Sequence, residues 1–494
     1  MTAYEFAALI LAMTGPVLAV SGHFRAPASI VLFAIGVASV FVPGVPRMKL
    51  DADLALTLFL PPLVYASTLR ISWHLLRFTF VAGVLMGGVQ VLLTVITVVL
   101  AATLLLPGLS WTGALFLGVV ASIFDTQLFH EAKGRPRVPR ALADVLKTRE
   151  LVSKLFILGT LALAEEALDT GAVTPVSIAL NYLLDIPAGI LLGLAVGYAI
   201  VWVRRRIDPA PVEIAVSISA PFVAALLGTG LGISGVAAII TTALVISAAR
   251  IDRHTGRTVS SAESRISSVA FWEQASLMLS SVLFFLAGRA LPEALASVES
   301  WPLVMLVLAT AVILAIVLAI QFATSLPALI VKSVSGALEG RRGRPALGLQ
   351  TAGVMAWSST RSVIALIIAL SIPEATASGT AFPERSLIIV VAAFLVVGSL
   401  ALQGISLRAV VVRADLVDEG EEDREVDLAR ATIREAAASR SPDEPHRSAR
   451  QALLALRADD RIGDEVLTRM LRETDLDARA AEENVLPGAG PPNP

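Results

Sequence analysis

The chain has 494 residues, of which 55% are hydrophobic and 16% charged, with a formal net charge of −2, five histidines and no cysteine. Soluble domains carry about 25% charged residues, so this composition, with a mean hydropathy of +0.76, excludes a string of ordinary soluble domains. The lack of cysteine excludes disulfides and thiolate metal sites, and the near-neutral charge gives no argument for a nucleic-acid partner.

In chain order, thirteen apolar segments lie at about 4–21, 27–43, 52–68, 78–106, 110–129, 142–166, 178–203, 211–229, 233–249, 269–290, 301–331, 348–372 and 385–410. About 17–25 apolar residues span a bilayer, so the chain is an all-α membrane protein. The first segment lacks a basic region and a small-residue cleavage site, and is read as a transmembrane helix. Alternate loops carry Arg25; Arg70 and Arg77; Lys133, Arg135, Arg137 and Arg140; Arg204, Arg205 and Arg206; Arg250, Arg253, Arg257 and Arg265; Lys332, Arg341, Arg342 and Arg344. The opposite set carries only Arg47, Lys49, Arg289 and Arg385, with the acidic Glu165, Glu166 and Asp169. This asymmetry places the first set and the C-terminus in the cytoplasm and the N-terminus outside. Beyond residue 410 the chain turns charged, beginning with DEGEEDREVD. ARQALLALRADD and IGDEVLTRMLRE have helical apolar spacing, and the end is VLPGAGPPNP. Residues 411–494 are therefore expected to form a helical cytoplasmic tail with a disordered end.

Three charges fall inside apolar segments. A charge at mid-bilayer costs about 2.5–3.5 kcal/mol on insertion scales, so such groups mark a cavity, a partner or an ion path. Asp125 lies in ALFLGVVASIFDTQLF. A buried carboxylate has two low-energy states, protonated and neutral or ionised beside a cation, which is the chemistry of proton-coupled cation exchange. The bland alternative is a structural carboxylate in an ion pair. Arg361, in GVMAWSSTRSVIALIIALSIP, keeps its proton and needs partners, so it is read as a fixed counter-charge. Ser358, Ser359, Thr360 and Ser362 around it suit a loosened helix. Lys154, in RELVSKLFILGTLALAEEA, lies at least two turns inside its span, or snorkels to the surface if the span begins near Leu151. Arg149 and Glu150 lie nearer the interface and read as solvated. Glu213, at a span start, is favourable beside a helix N-terminus without any function, and Asp185 marks a helix end.

These segments resemble the bacterial sodium/proton antiporters of the monovalent cation/proton antiporter-1 family. LPPLVYASTL at 60–69 resembles the family's LPPLLFEAAL, and SIFDTQ at 122–127 its SATDPV. GLGISGVAAIITTALV at 230–245 resembles its GVSGVLAVVVAGLV, and FWEQASLMLSSVLFFLAG at 271–288 its FWE segment. WSSTRSVIALIIAL at 357–370 resembles its WGGLRGAVSLALAL, and the tail RSARQALLALRADDRIGDEVLTRMLRETDLD its helical tail. Asp125 and Arg361 thus fall on the family's aspartate and arginine. The family's EGESLLNDG is replaced by KTRELVSKL at 147–155: Ser153 and Lys154 stand for its Asn-Asp pair, Arg149 for its glutamate, and sliding by one residue restores an acid at Glu150. The proline after the aspartate is Thr126, the glutamate of LPPLLFE is Ala66, the asparagine of the FWE helix is Ser280, and the glycines beside the arginine are Ser359 and Ser362.

The resemblance implies an inverted-repeat antiporter fold over 1–410 with two interrupted crossing helices. It implies a core at about 110–170 and 269–372, with the remainder forming dimer and linking helices. It implies a homodimer in the bacterial inner membrane, among lipids, that exchanges a monovalent cation for a proton. The expected ion and proton site is Asp125, Thr126, Ser153 and Lys154, with Arg361, Arg149 and Glu150 as charge partners. No cofactor, enzymatic activity or metal is expected beyond a transported cation at Asp125. Two other readings stay open: a non-transporting or regulatory paralogue whose site is closed by a Lys154–Asp125 pair, and an anion or organic-solute transporter.

Overall fold

The computed structural model describes residues 15–16, 28–43, 55–69, 71, 73–126, 140–206, 210–249, 262–298, 301–326, 349–376, 379–414, 420–438, 445–459 and 461–485. Most of the first apolar segment, the basic loops at 127–139 and 327–348 and the end of the tail lie outside these residues. Among the described residues six helices are long and apolar enough to span a membrane: Thr79–Leu105, Pro175–Arg204, Pro211–Gly230, Ala270–Ser297, Leu303–Ser325 and Glu384–Arg413. Four shorter apolar helices accompany them, so the expected count of thirteen is not established.

The helices form two packed groups. α1 (Ala28–Ser39) and α2 (Leu60–Thr68) come first in the chain and lie outside the first group, in which α3 (Trp73–Gly83) runs through a π-helical turn at Val84–Gly88 into α4 (Val89–Leu105). α4 packs on α5 (Trp111–Ser122), and α3 packs on the 31-residue α6 (Arg140–Thr170). In the second group, α7 (Pro175–Leu180) continues through a π turn at Asn181–Asp185 into α8 (Ile186–Arg204). Asp185 therefore lies inside a continuous span and not at its end. α8 and α9 (Ala210–Gly230) pack on α10 (Gly235–Ala248), which also packs on α2. Between the groups runs the 36-residue α11 (Ala262–Ser297), against α1, α2 and α9 on one side. Glycines bring α1 and α11 into backbone contact: a Cβ at Gly288 would lie 2.0 Å from the Phe33 carbonyl oxygen.

α12 (Leu303–Ser325) joins the first group by packing on α4, and α13 (Leu349–Trp357) packs on α12. α14 (Val363–Ser371) and α15 (Glu384–Ser399) pack on each other, and α15 packs on α5 and α12. A π turn at Leu400–Gly404 leads into α16 (Ile405–Arg413). The tail is the helical unit expected: α17 (Glu421–Ala438), α18 (Pro445–Ala458) and α19 (Asp464–Val485) share a core of Val426, Ala429, Leu453, Leu456, Ile462, Val466 and Met470. Its α19 packs on α11, and Glu465 meets Lys147 of α6 at 2.6 Å.

Two helices stop in the middle of the first group. α5 ends at Ser122, and Phe124–Asp125 is extended (β1); α13 ends at Trp357, and Thr360–Arg361 is extended (β2) before α14 resumes. The extended pieces pair antiparallel, Phe124 opposite Arg361 and Asp125 opposite Thr360. A broken helix exposes carbonyl and amide groups that must be satisfied inside protein. Here the side chains of neighbouring helices do this. Gln321 of α12 donates to the Ser359 carbonyl at 3.2 Å, Gln403 donates to the carbonyls of Trp357 at 3.1 Å and Ser359 at 3.3 Å, and the Arg361 amide donates to Ser399 Oγ at 2.9 Å. Ser358 and Ser359 bond back to the Met355 carbonyl, a local competition that loosens a helix.

Candidate functional site

The paired extended segments form the centre of the site. Asp125 is 8% exposed, Thr126 2% and Arg361 1%. Ser362 Oγ donates to Asp125 Oδ2 at 3.4 Å and caps α14 by accepting from the Ile364 amide; Thr360 Oγ1 donates to the Asp125 carbonyl at 3.3 Å. Arg361 donates to the carbonyls of Ala121 and Ser359, so the fixed positive group ties the end of α5 to the other unwound segment.

α6 supplies the second wall. The sequence places Arg149 and Glu150 near the interface; in the structure Arg149 is fully buried and Glu150 is 8% exposed. α6 runs from Arg140 to Thr170, past both ends of the apolar segment 142–166, and the elements packed on it cover both residues. Glu150 bridges two elements. Its Oε2 accepts from the Thr126 amide at 3.1 Å and Thr126 Oγ1 at 2.6 Å, while its Oε1 receives Lys154 Nζ at 2.6 Å. Lys154 is 4% exposed and also donates to Ser67 Oγ of α2 at 2.9 Å, so it does not snorkel. The lysine that the sequence pairs with Asp125 thus has Glu150, one turn away on its own helix, as an ion-pair partner. Ser153 lies on the same stretch, with its hydroxyl donating to the Arg149 carbonyl.

Arg149 has no carboxylate among its described contacts. Its Nε donates to Gln90 Oε1 at 2.8 Å and its Nη1 to Ser325 Oγ at 3.2 Å. The guanidinium lies over the Phe124 ring, 5.2 Å from its centroid, and that of Arg361 lies 5.9 Å from the same ring. Both arrangements are cation–π contacts in a dry setting. Phe124 therefore contacts two buried like charges beside the aspartate. The π turn at Val84–Gly88 delivers Gln90 to this place. A Cβ at Gly87 would lie 2.6 Å from the Arg149 carbonyl oxygen, so glycine permits the approach of α3 and α4 to α6.

All seven residues singled out in the sequence thus surround one junction. Sequence reasoning missed Gln90, Gln321, Ser325, Ser399, Gln403 and Ser67. Gln90 and Gln403 stand within apolar runs, and a glutamine there was the available signal; Ser67 and Ser325 sit beside Thr68 and Thr324 and gave no separate one. Glu213 was read as a favourable helix-start acid; it is also buried and pairs with Arg204 at 3.3 Å, away from the junction.

A family model described as "Sodium/hydrogen exchanger, transmembrane" matches residues 9–413. The chain belongs to the sodium/hydrogen exchanger family. It is 30% identical over 86% of its length, and over 77% of the relative, to an uncharacterized Na(+)/H(+) exchanger of Mycobacterium bovis. It is 22% identical over 84% of its length, and 74% of the relative, to the low-affinity Na(+)/H(+) antiporter NhaS1 of Synechocystis. The solved sodium proton antiporter MjNhaP1 of Methanocaldococcus jannaschii superposes with a TM-score of 0.61 at 14% identity, covering 83% of this chain and 98% of that one. This sodium/hydrogen exchanger therefore has the antiporter fold that its sequence motifs imply.

Proposed function

We propose that the chain is a secondary-active monovalent cation/proton antiporter of the plasma membrane, working by alternating access, with the junction of the two interrupted helices as its exchange site. The observation that carries this reading is Asp125, buried on an unwound segment that pairs with a second unwound segment, in a chain of the sodium/hydrogen exchanger family. Asp125 alternates between a protonated state and an ionised state beside the cation. Thr126, Ser153 and Lys154 complete the site. Lys154 and Glu150 supply an internal ammonium–carboxylate pair with which an arriving cation competes. Arg361 and Arg149 keep their charge throughout, because a guanidinium does not give up its proton.

The core about 110–170 and 269–372 is extended, in this reading, by α3, which packs on α6, by α4, which packs on α5, and by α15, which packs on the unwound Thr360–Arg361. α2 and α8–α10 form the dimer group, and two copies assemble through it. The N-terminus is outside and the tail cytoplasmic, as the loop charges require.

The test is exchange by purified protein in liposomes holding a pH-sensitive dye. Sodium, potassium or lithium added outside should collapse a preformed pH gradient. If none of the three does so with folded protein, the antiporter reading fails. The Lys154–Glu150 ion pair would then point to a closed, non-transporting scaffold.

A further inference from the structure

Both interrupted helices end on the face of the bundle opposite the tail. Trp111, at the start of α5, donates Nε1 to the Gly171 carbonyl just past α6 at 3.3 Å, whereas the tail meets the other end of α6 at Lys147. On that face two adjacent residues at the start of α15 hold the two helix ends. Glu384 Oε1 accepts from the Ser110 amide at 2.9 Å, and its Oε2 accepts from Ser110 Oγ at 2.6 Å. Ser110 is the N-cap of α5 and accepts from the Gly113 amide at 3.0 Å. Arg385 Nε donates to the Ile372 carbonyl at 2.6 Å, and its Nη2 donates to the Leu370 carbonyl at 2.9 Å, at the end of α14.

The signs match the helix ends. A helix N-terminus favours an anion and a C-terminus a cation, each also leaving backbone groups to satisfy. The carboxylate meets the start of α5 and the guanidinium meets the end of α14. The fit is close as well: a Cβ at Gly113 would lie 2.1 Å from Glu384 Oε2, so a larger residue there would shift the carboxylate. At its other end α15 holds the unwound segment itself, through Ser399 and, one turn on, Gln403.

We propose that Glu384 and Arg385 are positioning residues for the exchange site: they fix α5 and α14 to one rod, α15, so that Asp125 and Arg361 keep their register while the bundle moves. They touch neither cation nor proton and act through the helix ends. The transport arm of the test rests on the antiporter reading; the structural arm does not.

The structural arm uses spin labels at Pro107→Cys and Ala375→Cys, exposed positions beside the two helix ends, in a chain with no native cysteine. The full chain should give one narrow distance distribution. Glu384→Ala and Arg385→Ala should broaden it, and Glu384→Gln, which keeps the hydrogen-bonding reach, should restore it. Ser110→Ala provides a milder break of the same contact if Glu384→Ala fails to fold. A distribution that stays narrow in every folded variant overturns the proposal, whether or not the protein transports. In liposomes, Glu384→Ala should raise the half-saturating sodium concentration at least about threefold, as expected of misplaced reacting groups, with Glu384→Gln recovering most of the loss. Broadened distances with an unchanged half-saturating concentration also overturn it. A wild-type protein that exchanges nothing contradicts the antiporter reading and leaves the distances to decide the clamp.

Discussion

Lys154 and Glu150 are buried together one helical turn apart, so either alone is a buried charge. Removing one partner of such a pair typically costs about 3–5 kcal/mol, while replacing both with apolar groups of similar size is often neutral. Glu150→Ala should therefore lower the melting temperature in detergent, and Glu150→Leu with Lys154→Met should recover most of the loss. A double variant that melts no higher than the single one would show that the pair is not the unit at stake. At this scale the sequence was most legible where a charge stood alone: Asp125, Lys154 and Arg361 each interrupt an apolar run and each lies at the junction. Arg149 and Glu150 were harder to place. They sit next to Lys147 at the start of a span, and hydropathy cannot tell a buried pair from a solvated one when the helix extends beyond its apolar stretch.

The breaks in α5 and α13 have different visibility in the sequence. Ser358, Ser359, Thr360 and Ser362 announce the second, because their side chains compete for backbone groups. The first has no comparable signal: Ile123, Phe124 and Asp125 contain neither glycine nor proline, and the break depends on pairing with Thr360–Arg361. Helix existence was therefore readable from apolar length, but the unwinding of α5 is a tertiary effect. The π turn at Val84–Gly88 is also tertiary in origin, and its glycines are specific to the contact with α6. Gly87→Val should force the two helices apart, because the new Cβ meets the Arg149 carbonyl oxygen at 2.6 Å. Overpacking of this kind costs about 1–3 kcal/mol, and a melting temperature equal to wild type would contradict the packing described.

The tail and the membrane domain meet through Lys147 and Glu465, on the same helix that carries Glu150 and Lys154. Lys147→Glu should weaken this docking and speed limited proteolysis of the tail, and adding Glu465→Lys should restore protection. Equal digestion in all three proteins would mean that the contact does not hold the tail. The orientation is open to cysteine labelling, since no native thiol competes. Ala172→Cys should react with an impermeant maleimide in whole cells and Arg461→Cys should not; the reverse pattern would invert the topology. The architecture as a whole was legible through several motifs in register, whereas the number of spans was not, because short, interrupted and charge-bearing helices blur apolar length. The central claim is that the carboxylate at the unwound junction performs the exchange. It is tested most directly by sodium-dependent collapse of a pH gradient in liposomes containing wild type or Asp125→Asn. The account predicts exchange in the wild type and none in a folded Asp125→Asn protein; undiminished exchange in Asp125→Asn would contradict it.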